Sequence, residues 1–176
     1  MKKKLLIALC SLAVIFTACK KPVEPTPTPT PTPDPVDYTA NYVGNYIGDF
    51  TLTITSMNNQ PQTSLNFPID SIGMDIAKSE GNNAITATVT VENETHQTNG
   101  IATADKAKFE TIRLIIDKPD QGYRFELDLS MEGTKADSDT LNITGTFAGN
   151  GYFIFQGEEN TLDEVSGNLS GTLAKQ

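Results

Sequence analysis

The chain of 176 residues has no tryptophan, one histidine and only two cysteines. Each scarcity excludes some chemistry. A zinc site needs several His, Cys or carboxylate ligands, and His96 has no second His or Cys to join it. As a general base it would also need a nucleophile and an orienting acid. Its surroundings, Asn93-Glu94-Thr95-His96-Gln97-Thr98, are polar and predict a solvent-exposed loop. Cys10 lies in an N-terminal apolar segment, so Cys19 is the one thiol expected to persist, and no disulfide can form within the chain. Basic residues are outnumbered, 13 Lys and Arg against 22 Asp and Glu, for a net charge of −9. That balance predicts no nucleic-acid partner and no electrostatic attachment to anionic lipid. Phosphate-cradling glycine loops and serine nucleophile elbows are absent, and no stretch of ten or more residues repeats with a helical period.

The N-terminus has three parts. Lys2, Lys3 and Lys4 are followed by Leu5–Phe16, apolar except for Ser11 and too short to span a bilayer permanently. Thr17-Ala18-Cys19 then places small residues before a cysteine. Phe16-Thr17-Ala18-Cys19 resembles the lipobox of bacterial lipoproteins, with Phe16 where Leu is usual. The resemblance implies a signal peptide over 1–18, cleaved to leave Cys19 as the lipidation site. It also implies a cell-envelope location with the membrane as partner through the acyl chains. Lys20 rather than Asp follows the cysteine, which by the same analogy implies the outer membrane, on a face left open. Removing the three leader lysines leaves ten basic side chains against 22 acidic ones, a balance of −12. Residues 19–37 read as a linker: seven of the ten prolines fall between 22 and 35, and Pro25–Pro33 alternates strictly with threonine. Such a stretch favours polyproline II, and about 20 residues at ~3.1 Å each reach roughly 60 Å.

From residue 38 to 176 the periodicity is two, and the expected class is all-β. Tyr46, Gly48, Phe50, Leu52 and Ile54 alternate with polar residues, as do Ile85, Ala87, Val89 and Val91. The same holds for Tyr123, Phe125, Leu127, Leu129 and Met131, for Leu141, Ile143, Gly145 and Phe147, and for Val165, Gly167, Leu169, Gly171 and Leu173. Shorter strands are predicted at 64–69, 72–76, 112–117 and 152–155, with a bulge or turn at Asp70-Ser71. Turns are predicted at 58–61, 80–83, 119–122 and 149–151. Eight or nine antiparallel strands fit either an up-and-down barrel or a two-sheet sandwich. The inward glycines 48, 145, 167 and 171 favour the barrel, because glycine permits sharp coiling.

The opening Asn45-Tyr46-Ile47-Gly48-Asp49-Phe50-Thr51-Leu52-Thr53 and the closing Gly167-Asn168-Leu169-Ser170-Gly171-Thr172-Leu173 resemble the calycin-like (lipocalin-like) β-barrel lipoproteins of Gram-negative anaerobic bacteria. The resemblance spans about 40–176 and implies a small closed barrel without an assigned activity. Asp70-Ser71-Ile72 and Asp139-Thr140-Leu141 resemble an O-glycosylation acceptor pattern of such bacteria, which implies Ser71 and Thr140 as modification sites.

Three acidic groups remain. Glu126 and Asp128 lie about 6.6 Å apart on one strand face with Glu132 beyond, a spacing found in glycosidase pairs and on any solvated strand. Arg124 in the same row makes a charge pattern across strands the simpler reading. Glu158-Glu159 with Asp163-Glu164, and Asp137 with Asp139, read as solvated acidic loops without EF-hand spacing. No catalytic residue, metal ligand or cofactor is expected. The inward aromatics Phe50, Phe125, Phe147 and Tyr123 are expected to fill the interior. The expected function is a non-enzymatic binding module for a small apolar ligand, a glycan or an envelope protein. An accessory role in an envelope complex is the second reading, a hydrolase the third. The accessory role would leave an unpaired strand edge or an exposed apolar patch on the outer wall, and 112–116, where alternation is poor, is the place to look for either.

Overall fold

The computed structural model describes residues 34–155 and 158–176, with side chains everywhere in that range except 153–163. The N-terminal apolar segment, Cys19 and the Pro-Thr stretch lie outside the described residues. A compact unit runs from Pro35 to Gln176. It holds nine strands: β1 (Gly44–Met57), β2 (Gln60–Lys78), β3 (Ala84–Val91), β4 (Glu94–Ala102), β5 (Ala107–Phe109), β6 (Ile112–Lys118), β7 (Tyr123–Lys135), β8 (Thr140–Phe155) and β9 (Glu158–Lys175).

All pairings are antiparallel, in the order β5-β4-β3-β2-β1-β9-β8-β7-β6. A further pairing of β5 with β7, Ala107 opposite Gly133 and Lys108 opposite Glu132, closes eight of the strands into a ring. The all-β barrel is therefore the observed architecture, and the sandwich is not.

Period-two patterning explains the closure. In β3, Ile85, Ala87, Val89 and Val91 are buried while the intervening threonines stay half-exposed. In β7 the inward row Tyr123, Phe125, Leu127, Leu129 and Met131 is at most 5% exposed. Phe50 and Phe147 are buried with them, so the four aromatics fill the interior as expected. Each such side chain contributes about 1.5–3 kcal/mol relative to exposure, and a sheet rolled on itself is what lets every inward row do so at once.

Two glycines set the curvature. A Cβ at Gly167 would collide with the Thr53 carbonyl and the Phe147 ring. One at Gly145 would collide with the Ser130 carbonyl. Neighbouring backbones approach there as no other residue allows. The β1–β2 turn uses Asn58 and Asn59 at φ 53° and 59°, the left-handed pair of a two-residue hairpin.

Several expectations need correction. The runs 64–69 and 72–76 belong to one strand, β2, interrupted by the anticipated bulge: Phe50 faces Ile69, Gly48 faces Ile72, and Ser71 stands at φ 60°. Gly149-Asn150-Gly151 is not a turn. It lies inside β8, where Gly149 yields to the Glu126 carbonyl and Gly151 to the Phe125 ring. Glu158 and Glu159 stand in β9 rather than in a loop, their side chains lying outside the described set. Asn93–Thr98 is not a loop either: a turn at Glu92-Asn93 leads straight into β4.

A 3-10 turn, Thr39–Asn41, precedes β1 and seats the fully buried Tyr42, whose carbonyl accepts the Tyr46 hydroxyl at 2.9 Å. It is tied down by Asp37, which accepts from the Lys78 ammonium and from the Thr39 hydroxyl and N–H. Chiefly the Lys78 bond, then those of Thr39, lower the Asp37 carboxyl from 3.8 to about 2. A depressed carboxylate contributes above its unfolded value and loses that contribution as pH falls through the folded one. The Thr39 amide is thus expected to lose exchange protection between pH 3.8 and 2, before the sheet does, a difference that NMR-detected exchange measures.

Candidate functional site

The barrel wall is split along one line, and the split begins with a phase break in the sequence. Ala107 and Phe109 point inward, and the next inward residue is Ile112, three positions on. Along β7 the corresponding partners run from Glu132, opposite Lys108, to Leu129, opposite Ile112. Between these two pairs three residues, 109–111, face two, 130 and 131, which defines a one-residue bulge at Glu110-Thr111. Thr111 Oγ1 and Ser130 Oγ, 3.2 Å apart, hold its outer side to β7.

The consequence falls on β4. It pairs with β5 from Gly100 to Ala102. The Glu110 N–H then donates to the Asn99 carbonyl at 2.8 Å, and the buried Thr98 hydroxyl donates to the Glu110 carbonyl at 2.9 Å. Past that clamp the ladder stops. β6 is paired with β7 over its whole length; among the described residues no strand is laddered to its other side, although β4 lies beside it. At the far end the β3–β4 turn leans back: Lys118 Nζ meets Glu92 Oε1 at 2.6 Å, and that bond raises the lysine pKa. Glu92 adopts φ 59° there. The seam between β4 and β6 is thus pinned at both ends and unladdered between them.

Its inner face carries Ile112, Leu114 and Ile116 from β6 and His96 and Thr98 from β4. His96 faces inward, opposite the buried Val89, instead of lying in an exposed loop. Its side chain is 22% exposed and its Nε2 lies 3.6 Å from Glu94 Oε2. That nitrogen is shielded from solvent and has no hydrogen-bond partner among the described residues. Within Leu114-Ile115-Ile116, Leu114 and Ile116 are buried, and Ile115 is half-exposed on the outside.

Open grooves flank the seam. One of about 320 Å³ lies between Glu92–Glu94, Ile115, Asp117 and Arg124. Two more border the bulge on either side of Phe109 and Glu110: about 700 Å³ toward Met131 and Gly145, and about 500 Å³ toward Ile85 and Ile101. Ile101 is 52% exposed there.

Two of the three carboxylates of the hydrolase reading, Glu126 and Glu132, are held in ion pairs. Glu126 accepts from Arg113 at 2.9 Å and Arg124 at 3.0 Å, Asp128 stands on the exposed outer face, and Glu132 accepts from Lys106 at 2.7 Å. The Lys106 bond lowers the Glu132 pKa, the opposite of what a general acid requires. Asp137 accepts the Asp139 N–H at 2.9 Å, and its carboxyl is held low by that bond and the Thr140 side chain. Among the described residues no group of three or more His, Cys, Asp or Glu could hold a metal ion.

The two glycosylation candidates stand apart. Ser71 is exposed at the β2 bulge, its N–H donating to Asp49 Oδ1 at 2.9 Å. Thr140 is half-buried at the head of β8, opposite Ala174. Cys19 lies outside the described residues. Sequence reasoning pointed to 112–116 as the place to look for an unpaired edge, and β6 does end the strand order, but it missed β4 and the bulge. The signal for the bulge was the spacing Phe109 to Ile112.

No family model matches the chain, and no curated protein matches it. A solved structure of a protein of unknown function from the DUF3598 family of Nostoc punctiforme is similar at 10% identity and a TM-score of 0.40, covering 80% of this chain. The chain spans half the length of that protein.

Proposed function

We propose that the protein is a membrane-tethered, non-enzymatic binding module that engages an extended segment of an envelope protein along the seam between β4 and β6. The observation that carries this reading is the one-sided pairing of β6. A strand with a free edge offers a row of backbone donors and acceptors to a guest strand, and side chains beside it select the guest. Arg113 and Asp117 stand exposed on that strand, and Ile115 offers an apolar foothold between them. A small apolar ligand inside the barrel is less well supported, because packed side chains from Tyr42 to Leu173 occupy the interior.

The tether rests on Phe16-Thr17-Ala18-Cys19 and the Pro-Thr stretch behind it. Cys19→Ala is expected to move the protein from the membrane fraction to the soluble one; a variant that still sediments with membranes removes the anchor from this reading. The docking line is tested by a photo-crosslinking residue at Arg113 or at Ser170, both exposed, in the native host. A discrete adduct from position 113 and none from 170 is expected. Identical patterns from the two positions would overturn the seam as the docking line.

A further inference from the structure

One end of the barrel is covered by a segment that is not a strand. The ladders of β1 begin only at Gly44, opposite Ile76, and at Tyr46, opposite Lys175. Residues 35–43, which precede them, form a strap tied down by a few hydrogen bonds. Asp37 accepts from Lys78, the Tyr38 N–H donates to Asn83 Oδ1 at 2.7 Å, and Lys175 Nζ donates to the Val43 carbonyl at 3.0 Å. Within the strap Thr39 and Tyr42 are buried, and Tyr38 packs against the core. Burial, then the Asp105 carboxylate, raises the Tyr42 pKa. Asp105 lies in the β4–β5 turn, four strands round the ring from β1, so the Tyr42 side chain reaches over the mouth. At that end the inward rows finish in Ile76, Ile85, Ala102 and Leu173, all buried.

Two features make this covering separable from the wall. The first is its attachment. Releasing 35–43 breaks no ladder bond, and the Asp37–Lys78 pair stands in solvent, where ion pairs hold weakly. Gly44, at φ 152°, joins the strap to β1 in a conformation open chiefly to glycine. The second is the Tyr42 hydroxyl, which is shielded from solvent and has no hydrogen-bond partner among the described residues. A bare buried hydroxyl weakens closure, because opening returns it to water. Tyr46 shows the contrast: its hydroxyl, at the same end, donates to the Tyr42 carbonyl.

We propose that residues 35–43 are a lid that swings on Gly44 and opens this end of the barrel while the ladders stay intact. Such an opening is a local unfolding step, distinct from unfolding of the sheet. The Pro-Thr stretch runs directly into Pro35. Load between the membrane anchor and a partner held by the barrel therefore enters at the lid, falls first on Asp37 and Tyr38, and favours the open state. That role of load rests on the tether proposed above; the opening itself does not.

The compact unit 35–176 contains the whole described core and no cysteine, so a single introduced thiol reports cleanly. Ala102→Cys probes the lidded end and Ala87→Cys the middle of β3, both positions buried in the parent. Under native conditions a thiol-reactive probe is expected to label position 102 at least tenfold faster than position 87. Adding Asp37→Ala is expected to speed labelling at 102 at least fivefold and to leave 87 unchanged. Adding Tyr42→Phe, which keeps the ring and removes the bare hydroxyl, is expected to slow labelling at 102 at least fivefold. Equal rates at 102 and 87 would mean that only global unfolding exposes this end, and would overturn the lid. Labelling at 102 that ignores Asp37→Ala would assign it to fraying of β4, and would overturn the lid as well.

Discussion

Gly167→Val is expected to lose about 3 kcal/mol or more of stability, enough to leave a large part of the protein unfolded at room temperature. The cause is backbone, not side-chain volume. A Cβ there meets the Thr53 carbonyl first, and β1 and β9 are bonded in register on both sides, Thr53 to Asn168 and Ile54 to Gly167. A strand held by its own ladder cannot step aside without breaking it. The Phe147 ring crowds the same point from inside. Gly73→Ala is the control. Its Cβ would meet only Thr90 Cβ at 3.6 Å, an ordinary contact. That substitution is expected to be neutral or to stabilise by up to ~1 kcal/mol, through lost freedom of the unfolded chain. Urea unfolding of both variants measures the contrast. Equal losses would mean that the glycines do not set the curvature.

Phe125→Ala carries the second large effect, about 3–5 kcal/mol. The ring is 1% exposed and meets Phe67 edge-on at 5.0 Å and Tyr123 at 5.2 Å. Phe67 also meets Tyr123 edge-on at 5.1 Å. These three rings tie the upper half of β2 to β7, across the end of the barrel that β3 and β4 are too short to wall. Truncation removes the transfer free energy of the ring and leaves a void between two half-sheets. Phe125→Leu retains most of the volume and is expected to lose less than half as much. If alanine and leucine cost the same in thermal unfolding, the cluster is not the tie that holds the two halves together.

Much of this fold was legible in the sequence, for a reason that also explains what was missed. Strands that put large apolar residues on one side and polar ones on the other, such as Tyr123–Met131, announce themselves by contrast alone. β4 has no such contrast. Its inward row is His96, Thr98, Gly100 and Ala102, small or polar residues beside equally polar neighbours. Small residues suffice there because Phe109 crosses the space: a Cβ at Gly100 would strike its ring and the Lys108 carbonyl. Gly149-Asn150-Gly151 misled in the opposite direction. Glycine flanking asparagine usually marks a turn, but here the missing side chains admit a neighbouring carbonyl and a ring, which only the folded partner strands reveal. The candidate site was half legible. Poor alternation singled out 112–116 as the place to look for an edge, while the bulge that separates it from β4 depends on pairing counts along β7, which one strand's sequence does not contain.

That bulge also makes a conformational statement. Beyond Glu110 the amides of β6 divide into those bonded to β7 and those facing the seam, and only the first set is locked by a ladder. The most direct measurement is residue-resolved amide hydrogen exchange on the unit 35–176 under native conditions. Alternate amides from Ile112 to Lys118 are expected to exchange orders of magnitude faster than the intervening ones and than those of Leu141–Thr146, which are paired on both sides. Uniform protection along β6, equal to that of β8, would mean that β4 and β6 are bonded in solution, and would contradict the open seam.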